Sequence, residues 1–227
     1  ERGLAPHIRV LRLLRTPLDA AAPRARQKAM REIRNICVYC GSAMGDDPRY
    51  AAAAEALGRA LAQADIGLVY GGGASGLMGV VAKATLAAGG RVIGVIPDFL
   101  DNREIAADGL TELFVVADMH ARKKLMFERS DAFVALPGGI GTLEELAEQM
   151  TWVQLGQHNK PLVIADIAGF WRPLLTLIAH MHNAAFIREP YEVHYMVAER
   201  VEEIIPMIEA AARHAPSARE TAITEKF

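Results

Sequence analysis

The chain has 227 residues, 52% of them hydrophobic and 23% charged, with a formal charge of −2. These proportions exclude a disordered polymer, and the near-zero charge excludes a global pull towards nucleic acid or an anionic membrane, so any bound anion has to be met by a local site. No run approaches the roughly 20 apolar residues of a membrane helix and no apolar signal block opens the chain, so the expectation is a cytoplasmic protein with neither membrane nor nucleic-acid partners.

Residues 1–32 carry many Arg, two early Pro and one apolar patch, HIRVLRLLR. They match no regular element and read as a basic extension, packed on a neighbouring subunit or mobile, in preference to an organelle transit peptide. From residue 33 onwards, short apolar runs alternate with longer helix-like stretches. Strands are expected over 33–40, 67–71, 91–96, 113–117, 132–136, 161–165 and, less sharply, 193–197. Helices are expected over 48–64, 77–88, 119–130, 143–155, 170–183 and 199–212. Continuously apolar strands separated by helices imply a parallel sheet covered on both faces. The expected fold class is therefore α/β, a Rossmann-like doubly wound domain over residues 33–213 with a mainly parallel sheet of six or seven strands, followed by a tail, 214–227. Ligands of such sheets bind at the carboxyl ends of the strands.

The first strand contains Cys37-Val-Tyr-Cys40, a C-x-x-C spacing. A redox pair of that kind sits at a helix start, whereas positions three apart on a buried strand face opposite sides, so these cysteines read as structural.

Two glycine-rich loops follow strands. The first, Tyr70-Gly-Gly-Gly-Ala-Ser-Gly-Leu-Met-Gly79, contains a literal G-x-G-x-x-G at Gly71, Gly73 and Gly76, with Asp98 some 20 residues on, as a dinucleotide fingerprint requires. Tight helix-to-sheet packing produces the same glycines, so nicotinamide binding is held as a rival reading only. The second loop is ALPGGIGTLEEL, residues 135–146. Its backbone-permissive residues Pro137, Gly138, Gly139 and Gly141 suit close contact, and free N–H groups with a helix dipole over 138–142 suit one phosphate group. No P-loop signature occurs, so triphosphate hydrolysis has no support. Thr142-Leu-Glu-Glu145 also fits a capping box, a purely local role for Glu145. Capping, however, requires neither the preceding Pro-Gly-Gly nor a second carboxylate at Glu144.

Arg122 and Lys123 lie near the start of the 119–130 helix, where positive charge opposes the helix dipole, which suggests an anionic ligand or a partner carboxylate. Lys124 reads as solvated. Met78, Met126 and Met150 read as core. The seven His include no H-E-x-x-H, so no metal site is expected, and no Lys sits in a setting that marks a pyridoxal Schiff base.

Met119-His-Ala-Arg-Lys123 and Pro137-Gly-Gly-Ile-Gly-Thr-Leu-Glu-Glu145, preceded by Gly71-Gly-Gly and Gly76-Leu-Met-Gly79, together resemble the Lonely Guy family over roughly residues 33–210. Its members are cytokinin-activating phosphoribohydrolases, often mislabelled as lysine decarboxylases. The resemblance implies hydrolysis of the N-glycosidic bond of an N6-modified adenosine 5′-monophosphate, with Arg122 and Glu145 as the catalytic pair. It places Glu104, Lys123, Gly139, Ile140, Gly141, Thr142, Leu143, Glu144 and Thr151 at substrate-binding positions, with Gly138, Gly72, Gly73 and Met119 beside them. No cofactor and no metal is required, and a homodimer or larger homo-oligomer is implied. A purine nucleotide nucleosidase that prefers plain AMP, and a non-catalytic nucleotide or cofactor carrier on the same fold, stand as alternatives.

Overall fold

The structure is a computed structural model and describes residues 32–101, 109–187 and 193–214. Among the described residues there are seven strands: β1 (Asn35–Tyr39), β2 (Gly67–Tyr70), β3 (Val92–Pro97), β4 (Glu112–Val116), β5 (Ala132–Ala135), β6 (Leu162–Ala165) and β7 (Met196–Ala198). The helices are α1 (Pro48–Gln63), α2 (Gly76–Ala87), α3 (Asp98–Asp101), α4 (Met119–Glu128), α5 (Ile140–Gln154), α6 (Arg172–Asn183) and α7 (Val201–His214). The expected alternation is present, with the short α3 added and β7 lying at the end of its expected run. The basic extension and the C-terminal tail fall outside the described residues, Glu32 and His214 excepted.

The strands form one sheet in the order β4-β3-β2-β1-β5-β6-β7, and every neighbouring pair is parallel. The chain thus grows outward from β1 to β4, returns through α4, and places β5 on the free side of β1. Two halves wound in opposite directions leave a crevice above the carboxyl ends of β1 and β5, the switch point at which such sheets take ligands.

Period-2 alternation in β1 feeds two separate cores. Ile36 and Val38 join Leu57 and Leu61 of α1, Val81 of α2 and Ile208 of α7 on one face. Cys37 and Tyr39 join Met126 of α4, Leu146 and Met150 of α5 and Trp171 on the other. Cys40 belongs to the first core and Cys37 to the second, and both thiols are free, so the C-x-x-C spacing divides across the sheet as expected. Met78 is also buried, which completes the core reading of the three methionines.

Among the described residues, no helix is long and apolar enough to cross a membrane, and no group of three or more His, Cys, Asp or Glu side chains is placed to hold a metal ion.

Candidate active site

Strand β5 ends in an elbow that delivers the chain directly into α5. The helix begins at Ile140, earlier than the Leu143 expected, because Gly139 takes the extended N-cap conformation and helical geometry starts at once. Gly138 is a steric requirement: a Cβ there would lie 2.2 Å from Thr142 Oγ1. The elbow is tied to β1 by a hydrogen bond that the Gly41 amide donates to the Pro137 carbonyl, 3.1 Å. On the outer side, a Cβ at Gly139 or Gly141 would meet no atom within 4 Å, and Ile140 is 81% exposed.

No side chain caps α5. Its first amides therefore lack a side-chain partner and carry the positive end of the helix dipole, the arrangement that accepts a phosphate oxygen. The capping-box alternative does not hold. Thr142 lies inside the first turn instead of at the N-cap, and the Glu145 carboxylate reaches across to another helix.

That other helix is α4, capped by Asp118, whose side chain accepts from the Ala121 amide at 2.8 Å. Arg122 is 9% exposed and makes three directed contacts. Its Nη1 donates to Glu145 Oε1 at 3.0 Å, its Nε to the Val95 carbonyl at 3.1 Å, and its Nη2 to the Gly71 carbonyl at 3.4 Å. Two carbonyls, one inside β3 and one just past the end of β2, therefore aim the rigid guanidinium at one carboxylate. A Cβ at Gly71 would sit 2.0 Å from Nη2, so this glycine is the space through which Arg122 enters.

Glu145 is 7% exposed. Burial pushes its pKa up to about 7; Arg122 and Lys123 oppose the rise, and the negative charges of Glu144 and Glu148 add to it. A buried carboxyl poised near neutrality beside a fixed cation has the character of a proton-transfer group.

Lys123, also 9% exposed, holds two carboxylates on successive turns of α5: Glu144 Oε1 at 2.5 Å and Glu148 Oε1 at 3.0 Å. Burial pulls the ammonium pKa down, but the bonds and charges of these two partners outweigh it and leave the pKa above the ordinary lysine value. The unfavourable charges at the start of α4 are thus met by carboxylates of α5. Lys124 is solvated, with Glu128 at 3.9 Å.

The dinucleotide rival finds part of its anion site already engaged. The amides of Leu77 and Met78, at the start of α2, donate to the carbonyls of Ala43 and Gly41 at 3.4 and 3.3 Å, and the space over Gly71 is filled by Arg122. Two of the amides a pyrophosphate would use are thus engaged, and its close approach over Gly71 is closed.

Of the remaining expected residues, Met119 lies 4.0 Å from Arg122 Nη1, Gly72 and Gly73 are buried beside that guanidinium's loop, and Leu143 packs into the second core. Thr142 is buried under Gly138, and Thr151 is exposed on α5 with its hydroxyl donating to the Ala147 carbonyl at 2.8 Å. Glu104 lies outside the described residues. Sequence reasoning missed two participants. Gly71 appeared only as part of a glycine pattern; Glu148, one turn from Glu144, had a readable signal in the E-x-x-x-E spacing that faces Lys123. The elbow also walls a recess of 240 Å³ at the switch point, lined by residues that include Gly41, Met44, Tyr50, Gly138 and Phe170. A larger cavity of 440 Å³, lined by Ile178, His182 and Tyr195 among others, involves none of these residues.

A profile of the family described as "Possible lysine decarboxylase" matches residues 78–208. A protein of Rhodococcoides fascians named cytokinin riboside 5′-monophosphate phosphoribohydrolase is 47% identical over 176 residues, 77% of this chain and 89% of its own. A relative of the same name from Arabidopsis thaliana is 45% identical over 176 residues, 78% of this chain and 81% of its own. Among solved structures, the molybdenum cofactor carrier protein of Chlamydomonas reinhardtii superposes with a TM-score of 0.60 at 21% identity, covering 79% of this chain and 98% of that one, a likeness of fold.

Proposed function

We infer that this chain, which belongs to the family described as possible lysine decarboxylase, hydrolyses the N-glycosidic bond of cytokinin riboside 5′-monophosphates to give the free base and ribose 5-phosphate. The family description names a decarboxylation, but the relatives at 45–47% identity are named as phosphoribohydrolases, the activity that the sequence motifs imply.

The residues that carry the reaction are our assignment. Hydrolysis breaks the bond from C1′ of the ribose to the base nitrogen; the water hydroxyl ends on C1′ and its other proton on the base. Positive charge gathers on the ribose ring as the bond breaks, and a fixed carboxylate nearby stabilises it. Glu145 takes this role in its ionised form and accepts the proton of the attacking water, which then passes to the departing base or to solvent. Arg122 keeps that carboxylate in place. The open amides of Gly139 to Thr142 hold the 5′-phosphate, and Glu144 accepts from the ribose hydroxyls. The reaction balances with water alone.

The observation that supports this assignment is the 3.0 Å pair of Arg122 and Glu145, shielded from water beside an uncapped helix start. It is tested by base release from isopentenyladenosine 5′-monophosphate, AMP and the unphosphorylated isopentenyladenosine. The assignment requires the nucleoside to be far slower than its monophosphate, and a preference for AMP would make the enzyme a purine nucleotide nucleosidase.

A homodimer is the assembly we propose, in a cytoplasmic protein. Ile140 and Leu155, at opposite ends of α5, are 81% and 64% exposed, and Val115 on the edge strand β4 is 52% exposed, apolar side chains that a partner subunit would cover. Light scattering on the purified chain at micromolar concentration decides it.

A further inference from the structure

We propose that Glu148 is a positioning residue of this site, keeping the Lys123 ammonium in place when Glu144 turns away to the sugar. The inference rests on the nucleotide-hydrolase reading above and deepens it.

The three groups differ in exposure. The Glu144 side chain is 51% exposed, that of Glu148 22%, and that of Lys123 only 11%. Residues four apart on a helix stand one above the other, so the two carboxylates grip the same ammonium from successive turns. The outer one is free to move. Once Glu144 accepts from ribose hydroxyls, an ammonium buried to this degree would be left without a counter-charge, a costly state that a lysine avoids by moving or losing its proton. Glu148 prevents both. Its Oε2 is buried and accepts no hydrogen bond from the described residues, so the hydrogen bonds of its carboxylate run through Oε1 to Lys123.

An ammonium has three donors, and the exchange releases one of them for a substrate oxygen as Glu144 departs. Substrate thus replaces Glu144 on Lys123 while Glu148 stays. The other groups facing this cluster are Arg122 of α4, Glu145 of α5 and Tyr39 of β1, with Cys37 of β1 beside Glu145; burial holds that phenol and that thiol in their neutral forms. Glu148 is consequently one of the charges that set the ionisation of Glu145.

The experiment compares wild type, Glu148→Gln and Glu148→Asp as full chains, with kcat and KM for isopentenyladenosine 5′-monophosphate measured across pH 5–9. For Glu148→Gln the expected result is a KM raised about tenfold with kcat changed less than about threefold, the signature of lost binding without lost chemistry. Its acid limb of kcat/KM moves to lower pH, because a negative charge beside Glu145 is gone. Glu148→Asp, which keeps the charge on a shorter stem, restores most of KM and the wild-type limb. An active wild type with KM and acid limb unmoved in Glu148→Gln overturns the proposal, as does Glu148→Asp matching Glu148→Gln in both. A wild type that releases no base overturns the hydrolase reading, and this inference with it.

Discussion

Arg122 of α4 and Glu145 of α5 meet at 3.0 Å between the two Gly-rich loops, and each depends on a glycine that the other loop features make sense of only in three dimensions. Gly71 admits the guanidinium; Gly138 admits Thr142, which sets the first turn of the helix that carries Glu145. Glycines that look like ligand contacts in sequence are here partly devices for bringing side chains together.

Arg122→Lys is therefore not conservative. Lysine retains the charge but loses the fork that bonds Glu145, Val95 and Gly71 at once. The expected outcome is a fall in kcat of about 10- to 100-fold with native-like thermal unfolding, since one misplaced catalytic group costs about that much when the fold survives. Steady-state kinetics and a melting curve on the same preparation measure it.

Gly71→Ala provides a sharper test because it changes no chemical group. The added methyl would occupy the space of Arg122 Nη2, and Met78 Sδ stands 3.2 Å away. The guanidinium must swing out, so kcat/KM falls to near that of Arg122→Ala. The double variant Gly71→Ala/Arg122→Ala should be no worse than Arg122→Ala alone, because the two changes remove the same interaction. Additive losses would show that Gly71 acts by another route.

The pH dependence follows from Glu145. Its carboxyl is raised to about 7 by burial, and the assigned role needs it ionised. Below that value the fraction ionised drops tenfold per pH unit, so kcat/KM should rise with pH through about 6 and level off above about 8. A rate that instead falls from pH 5 to 8 would assign the protonated acid to the rate-limiting step.

Much of this was legible before the structure. Seven apolar runs and the helices between them gave the sheet, because continuous Val, Ile, Leu and Ala runs are what a two-sided parallel sheet requires. The start of α5 was misjudged because Ile140-Gly-Thr142 has weak helix propensity, and the turn chemistry of Pro137 to Gly139 overrode it. The positive charges at the start of α4 were read as needing an anion or a carboxylate. Which of the two depends on α5 packing alongside, a contact between segments more than 20 residues apart that no local pattern records. The G-x-G-x-x-G spacing stands only as a rival for a related reason: two donors at the start of α2, the amides of Leu77 and Met78, are taken by the loop after β1, and only the fold brings that loop there.

The most direct measurement is base release from isopentenyladenosine 5′-monophosphate by wild type and Glu145→Gln, with substrate binding followed by calorimetry. The account predicts that Glu145→Gln binds the nucleotide within a few-fold of wild type while kcat falls by about 10²- to 10⁴-fold, the range for removing a proton-transfer group. A Glu145→Gln variant that releases base at the wild-type rate would contradict it.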